Sequence, residues 1–128
     1  MKHPRKSLDT FIHAPVRFSI AAALASVDEA DFKTLRDSIE VTDSALSKQI
    51  ALLETAGYVK VRKAFVGKRA RTWLSLTAKG RTAFTRHLAA LRDIAEWEPE
   101  PPEPPEAPEA PEPANEPENR RPSENGGP

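Results

Sequence analysis

The spacing of apolar residues changes at Gly57, and that change leaves few folds open to the chain. Before it, Leu46, Ile50 and Leu53 recur at i, i+4 and i+7, the repeat of one helical face. After it, Tyr58-Val59-Lys60-Val61-Arg62-Lys63-Ala64-Phe65-Val66 alternates and is rich in β-branched and aromatic residues, which predicts a strand. Gly67-Lys68-Arg69-Ala70 reads as a turn and Arg71-Thr72-Trp73-Leu74-Ser75-Leu76 as the returning strand. A two-stranded ribbon does not stand alone in water, so this hairpin must pack on helices. Val59, Val61, Trp73 and Leu76 are its expected buried contributors. The fold class that follows is mainly α with one β-hairpin.

The helices around the hairpin can be placed by period and punctuation. Ile12, Val16, Ile20, Leu24 and Val27 follow helical spacing, with Pro15 at a first-turn position and an alanine-rich surface suited to close helix approach. Val27-Asp28-Glu29-Ala30-Asp31 breaks that pattern, and Phe32, Leu35 and Ile39 then make a second helix for which Asp31 can serve as cap. Only Glu40 and Val41, with Thr42 at the boundary, separate it from a third helix, Thr42–Gly57, capped by Thr42 or Asp43 and ended by Gly57. Two helices joined by so short a turn match a helix-turn-helix. Thr77 caps a last helix from Ala78 to about Trp97, with Phe84, Leu88, Leu91 and Ala95 as its apolar stripe and Gly80 in its first turn, where close packing on the hairpin is possible. Residues 1–11 read as a frayed, basic lead-in.

Charge then suggests a partner. The formal charge is zero, but residues 1–97 carry 17 Lys and Arg against 10 Asp and Glu, a net of +7, and residues 98–128 carry 2 against 9, a net of −7. Lys60, Arg62, Lys63, Lys68, Arg69 and Arg71 all fall on the hairpin with no acid among them. Such self-repulsion is unfavourable unless a polyanion relieves it, whereas a merely solvated hairpin usually mixes signs. The third helix opposes its apolar stripe with Ser44, Ser47, Lys48 and Ala51, short or flexible and nearly free of acid. That face fits a groove of nucleic acid; the plainer reading is an ordinary amphipathic helix with a solvated side. Lys33 and Arg36 on the second helix are weaker phosphate candidates.

Other chemistries find little support. Cysteine is absent, which excludes disulfides and thiolate metal sites. His3, His13 and His87 lack ligand spacing on one element, so no metal is expected; His13 reads as packed or hydrogen-bonded near the start of the first helix. Nothing resembles a nucleophile elbow or a phosphate cradle, so no catalytic residue and no cofactor is assigned. No apolar run reaches membrane-spanning length, and the basic N-terminus lacks the apolar region of a secretory signal, which makes a cytoplasmic protein the expectation.

From Pro99 a three-residue Pro/Glu repeat begins, which excludes a packed core and predicts a disordered, acidic tail over residues 98–128. It reads either as a solubilising segment or as a competitor with DNA for the basic face.

The order helix, helix-turn-helix, basic hairpin, helix resembles the winged-helix regulators of the MarR/ArsR-like superfamily, and within it the short single-domain winged-helix DNA-binding subfamily. His13-Ala14-Pro15-Val16-Arg17, Leu46-Ser47-Lys48, Leu53-Glu54-Thr55-Ala56-Gly57-Tyr58-Val59 and Arg71–Arg81 carry the resemblance, over roughly residues 10–95. It implies a winged helix-turn-helix domain over residues 12–97 and a sequence-specific regulator, in the first instance a repressor. Thr42, Ser44, Ser47, Lys48 and Gln49 would lie at the major groove, and Lys68, Arg69 and Arg71 would form the wing. A homodimer through the first and last helices is implied, because the family binds palindromic sites. Larger members of that superfamily build a ligand pocket from additional C-terminal helices, whereas a single helix is expected after the hairpin here, and no small-molecule effector is identified. The competing reading is a winged-helix protein-interaction module with a proline-rich recruiting tail.

Overall fold

The structure is a computed structural model that describes residues 2–100. The expected tail beyond Glu100 therefore lies outside the described residues. Residues 2–97 form one compact unit. After a single 3-10 turn (Pro4–Ser7), the elements run α1 (Pro15–Ala25), β1 (Ala30–Asp31), α2 (Phe32–Ile39), α3 (Asp43–Thr55), β2 (Val59–Val66), β3 (Arg69–Leu76) and α4 (Ala78–Glu96). The strands make an antiparallel sheet in the order β1-β3-β2. This is a winged helix-turn-helix.

Each boundary has a local cause. Pro15 occupies the first turn of α1, where its missing N–H costs nothing. Glu40 ends α2 in the left-handed region (φ 57°), and the Val41 N–H reaches back to the Arg36 carbonyl, so only Glu40, Val41 and Thr42 separate α2 from α3. Thr42 caps α3, its hydroxyl oxygen accepting from the Ala45 N–H at 3.1 Å. Gly57 (φ 83°) closes α3 with paired bonds, Gly57 N–H to Glu54 O and Tyr58 N–H to Leu53 O, both 2.9 Å. Thr77 caps α4 through Gly80 N–H at 2.9 Å and donates its own hydroxyl to Gly57 O at 2.6 Å. Lys79 adds a bond to the Ala56 carbonyl at 2.9 Å, so the start of α4 is fastened to the end of α3.

The core joins one face from each element: Ile20 and Leu24 of α1, Leu35 of α2, Leu46, Ile50 and Leu53 of α3, Val59, Leu74 and Leu76 of the hairpin, and Phe84 of α4. Burying one such aliphatic side chain is worth roughly 1.5–3 kcal/mol, so the leucine-rich stripe of α3 alone is a firm anchor. The hairpin follows strand parity. Val59 pairs with Leu76 and Val61 with Leu74 on the inner face, while Arg62 pairs with Trp73 on the outer face. Trp73, expected in the core, is therefore only half-buried, and Leu74 takes the core position, because neighbours on a strand point to opposite faces. The turn is tighter than Gly67–Ala70: Val66 pairs with Arg69, leaving Gly67 (φ 67°) and Lys68 as its two residues.

Three further differences from the sequence reading have physical causes. Ala30–Asp31 forms a short third strand, pairing Ala30 with Leu74 and Asp31 with Trp73, while Asp31 also stands at the N-cap of α2, where Thr34 holds its carboxylate below the usual pKa. In α4 the buried stripe is Phe84, His87 and Ala90, with Leu88 and Ala95 exposed. The segment before α1, expected to be frayed, is tied down. Asp9 Oδ1 accepts from the N–H groups of Phe11 and Ile12 (3.0 and 3.1 Å), Ile12 is buried, and the Asp9 N–H donates to His87 Nδ1 at 3.0 Å. An N–H can only donate, so His87 Nδ1 is unprotonated and its proton rests on Nε2. That proton faces His13 Nδ1 at 3.1 Å, which gives His13 the hydrogen-bonded role expected of it near the start of α1. Burial first, then the adjacent His13, pushes the His87 pKa down, against a smaller upward pull from Asp9.

Candidate nucleic-acid interface

The helix α3 presents two unlike sides. Leu46, Ile50 and Leu53 are locked into the core, and Ser44, Ser47, Lys48 and Ala51 are exposed on the opposite side. Steps of about 100° per residue bring Ser44, Ser47 and Lys48 onto one face. Thr42 stands at the head of that face, with its oxygen engaged in the cap and 3.4 Å from the Ser44 hydroxyl.

Gln49 departs from the set. It lies toward the core edge of α3, and its Oε1 accepts from the Arg17 guanidinium at 2.9 Å. Arg17 itself is fixed by a 2.7 Å bond to the Phe11 carbonyl and by stacking over the Phe11 ring at 4.3 Å. The structure thus gives Gln49 a bracing contact between α1 and α3 rather than a place beside Ser44 and Lys48.

Arg36 is also committed elsewhere. It bridges Asp43 at 2.6 Å and Asp37 at 2.9 Å, and the Asp43 and Asp37 carboxylates hold its pKa above the ordinary arginine value. Asp43 is the one acid in the first turn of α3, where a negative charge complements the helix dipole but would repel phosphate. Pairing with Arg36 offsets that charge without removing it.

On the hairpin, Lys68 lies in the turn, and Arg69 and Arg71 are exposed on the outer face of β3. None of the three ion pairs among the described residues includes Lys48, Lys68, Arg69 or Arg71. Arg62 does not belong with them. Both ends of its guanidinium meet Glu29, at 2.7 and 2.9 Å, and it leans over the Trp73 ring 5.8 Å from the centroid. Parity places Lys60, Arg62, Arg69 and Arg71 on the outer face and Lys63 on the other, so the six basic residues do not form one uniform patch. The structure adds one grouping that spacing along the chain does not reveal. Lys33, at the start of α2, joins Arg69 and Arg71 around a hollow of about 300 Å³ that also takes in Asp31.

A second feature lies apart from the exposed α3 face and the hairpin turn. A cleft of about 560 Å³ opens between the N-terminal segment and α4, bordered by Asp9, Tyr58, Lys79, Thr82 and Arg86. The Tyr58 hydroxyl donates to Asp9 Oδ2 at 2.7 Å, and that bond, with burial, pushes the tyrosine pKa up to about 12. No residue of the exposed α3 face or of the turn lines this cleft. Among the described residues no group of His, Asp and Glu is arranged to hold a metal, and no helix is long and apolar enough to cross a membrane.

Comparison with known proteins gives one consistent answer. An uncharacterised protein of Methanocaldococcus jannaschii, MJ0432, is 28% identical over 81 residues, covering 63% of this chain and 88% of its own. A transcriptional regulator homologue from Pyrococcus horikoshii OT3 superposes with a TM-score of 0.68 at 26% identity, over 74% of this chain and 95% of that one. The transcriptional regulator MOSR of M. tuberculosis, solved in complex with DNA, shares the fold at a TM-score of 0.57 and 23% identity, over 72% of this chain and 65% of its own. Residues 16–95 match the family described as winged helix DNA-binding domain, and to that family this chain belongs.

Proposed function

We propose that this protein is a sequence-specific, non-enzymatic transcriptional regulator of the cytoplasm that binds double-stranded DNA as a homodimer and acts as a repressor. Residues 12–97 are its DNA-binding domain, and residues 98–128 a separate acidic segment. The observation that carries this reading is the two-sided α3, with an apolar stripe fixed in the core and a slim, exposed face of Ser44, Ser47 and Lys48. Ser47 and Lys48 read base edges in the major groove, with Ser44 beside them and Thr42 positioning the helix end toward a phosphate. Gln49 contributes by holding α3 to α1 through Arg17. Lys68, Arg69 and Arg71 follow the backbone as a wing, and Lys33 extends that track from α2. The dimer forms through the exposed sides of α1 and α4, where Ala22, Leu88 and Ala89 lie. Two-fold pairing suits a palindromic site.

Selection of bound fragments from a random duplex pool tests the proposal. It should enrich one palindromic sequence, and Ser47→Ala should change which bases are preferred while Arg71→Ala weakens all sequences alike. Recovery of no preferred sequence, or a parent-like profile from both variants, rejects the assigned surface.

A further inference from the structure

The end of the hairpin carries an apolar tip that the fold does not use. Phe65 is 75% exposed and the adjacent Val66 54%, the two most exposed large apolar side chains among the described residues. Their cross-strand partners are Ala70 and Arg69, and both side chains stay exposed beside them. The inner pairing with the core ends at Val61 and Leu74, and Phe65 lies four residues farther along β2. At about 3.3 Å per residue the tip therefore stands roughly 13 Å beyond the last pair that touches the core. Gly67 in its left-handed conformation keeps the turn narrow, and a Cβ there would meet nothing within 4 Å, so the tip is open all round.

Charge surrounds this tip. Lys63 shares the face of Phe65 two residues back, Lys68 is in the turn, and Arg69 faces Val66 across the hairpin. None of these three takes part in an ion pair among the described residues. An apolar point inside a ring of cations matches the minor groove, which has phosphates along both rims and sugars and stacked base edges within. The groove is about 6 Å wide and 7.5 Å deep, which suits one narrow turn rather than a helix. Apolar side chains delivered there can wedge between base pairs and kink the duplex.

We propose that Phe65 is an apolar wedge that enters the minor groove beside the major-groove site and partly unstacks one base step. This rests on the DNA-binding reading above and adds to it a second source of sequence preference. Pyrimidine–purine steps unstack most easily, so the protein should favour a TA or CA/TG step under the wing, at a position that no α3 side chain reaches. Val66 packs on the sugar next to the wedge, and Lys68 and Arg69 hold the phosphates on either side.

The test uses the full chain and the duplex recovered from the pool selection, with 2-aminopurine placed in turn at the flanking steps. Binding of the parent should raise the fluorescence at one flanking step. Phe65→Ala should abolish that rise and weaken binding roughly tenfold while leaving the preferred central bases unchanged, and Phe65→Leu should retain most of both effects. Equal affinity and equal fluorescence for Phe65→Ala overturn the wedge. So does a parent that binds tightly with no rise at any step. Loss of self-association by Phe65→Ala in sedimentation, with unchanged duplex affinity, gives the tip to a second copy of the chain and also overturns it. A parent that binds no duplex at all removes the DNA-binding reading itself, and the wedge with it, an outcome separate from the other three.

Discussion

Gly80→Ala should destabilise the domain although alanine is the better helix former. In an exposed helix the exchange gains about 1 kcal/mol. Here the added Cβ would lie 2.9 Å from the Tyr58 carbonyl carbon and 3.0 Å from its Cα, with the carbonyl oxygen closer still. Carbon contacts are comfortable at about 3.5–4.0 Å, so α4 must move away from the start of β2. That movement strains the bond from Thr77 N–H to Tyr58 O (3.0 Å) and the bond from the Thr77 hydroxyl to Gly57 O (2.6 Å). Overpacking of this kind costs roughly 1–3 kcal/mol, and two weakened hydrogen bonds add roughly 1–3 kcal/mol. Against the propensity gain the net loss is about 3 kcal/mol, which for a domain of this size lowers Tm by roughly 12–24 °C. Urea and thermal unfolding of the full chain measure it. Gly67→Ala is the control: it meets no neighbour but takes a left-handed conformation, so it should cost only about 1 kcal/mol. A Gly80→Ala protein as stable as the parent would mean that α4 is not seated directly on the backbone of Tyr58.

Other expectations follow from single contacts. Glu40→Gly, at a left-handed position that suits glycine, should hold stability constant or raise it by up to about 1 kcal/mol in urea unfolding. His87 is protonated less readily when folded than at its ordinary value of 6.5, so the unfolded chain binds the extra proton first. Stability should be complete above about pH 6.5 and fall as acid is added below it, and His87→Gln should flatten that part of the profile. Asp9 adds a second acid-sensitive contribution at lower pH. Burial opposes its charge, but the Tyr58 hydroxyl and the N–H groups of Ile12 and Phe11 outweigh that and hold its pKa below the usual 3.8. Its share is therefore present above that value and lost as pH falls through the lowered one.

How much of this was legible in the sequence depends on distance along the chain. The α3 stripe, its Thr42 cap and the closing Gly57 are local signals, and the structure has all three where spacing puts them. The hairpin is legible for the same reason. Choosing Trp73 over Leu74 for the core let side-chain size override parity: Leu74 and Leu76 can share a face and Trp73 cannot join them. The strand Ala30–Asp31 has only two residues and exists because β3 offers an edge, so no local pattern announces it. The candidate site divides in the same way. Exposure of Ser44, Ser47 and Lys48 follows from helical period, and exposure of Lys68, Arg69 and Arg71 from hairpin position. The engagement of Gln49, Arg62 and Arg36 by other side chains depends on partners that spacing did not expose. Arg17 lies 32 residues from Gln49 and Glu29 lies 33 from Arg62, while Arg36 finds its acids close by, Asp37 on α2 itself and Asp43 in the first turn of α3. Asp9 and His87, 78 residues apart, convert a frayed-looking start into a fixed strap by the same kind of contact.

In the proposed complex, cations of α3 and the wing neutralise phosphates of a duplex. The most direct test is the dissociation constant of the full chain for the selected duplex, measured by fluorescence anisotropy between about 50 and 200 mM salt, the range over which phosphate contacts show most clearly. The logarithm of affinity should fall steeply and linearly with the logarithm of salt, and Lys68→Ala should reduce the slope by about 0.9, one phosphate's worth. An affinity that ignores salt, or a Lys68→Ala slope equal to the parent's, would rule out phosphate neutralisation by these cations.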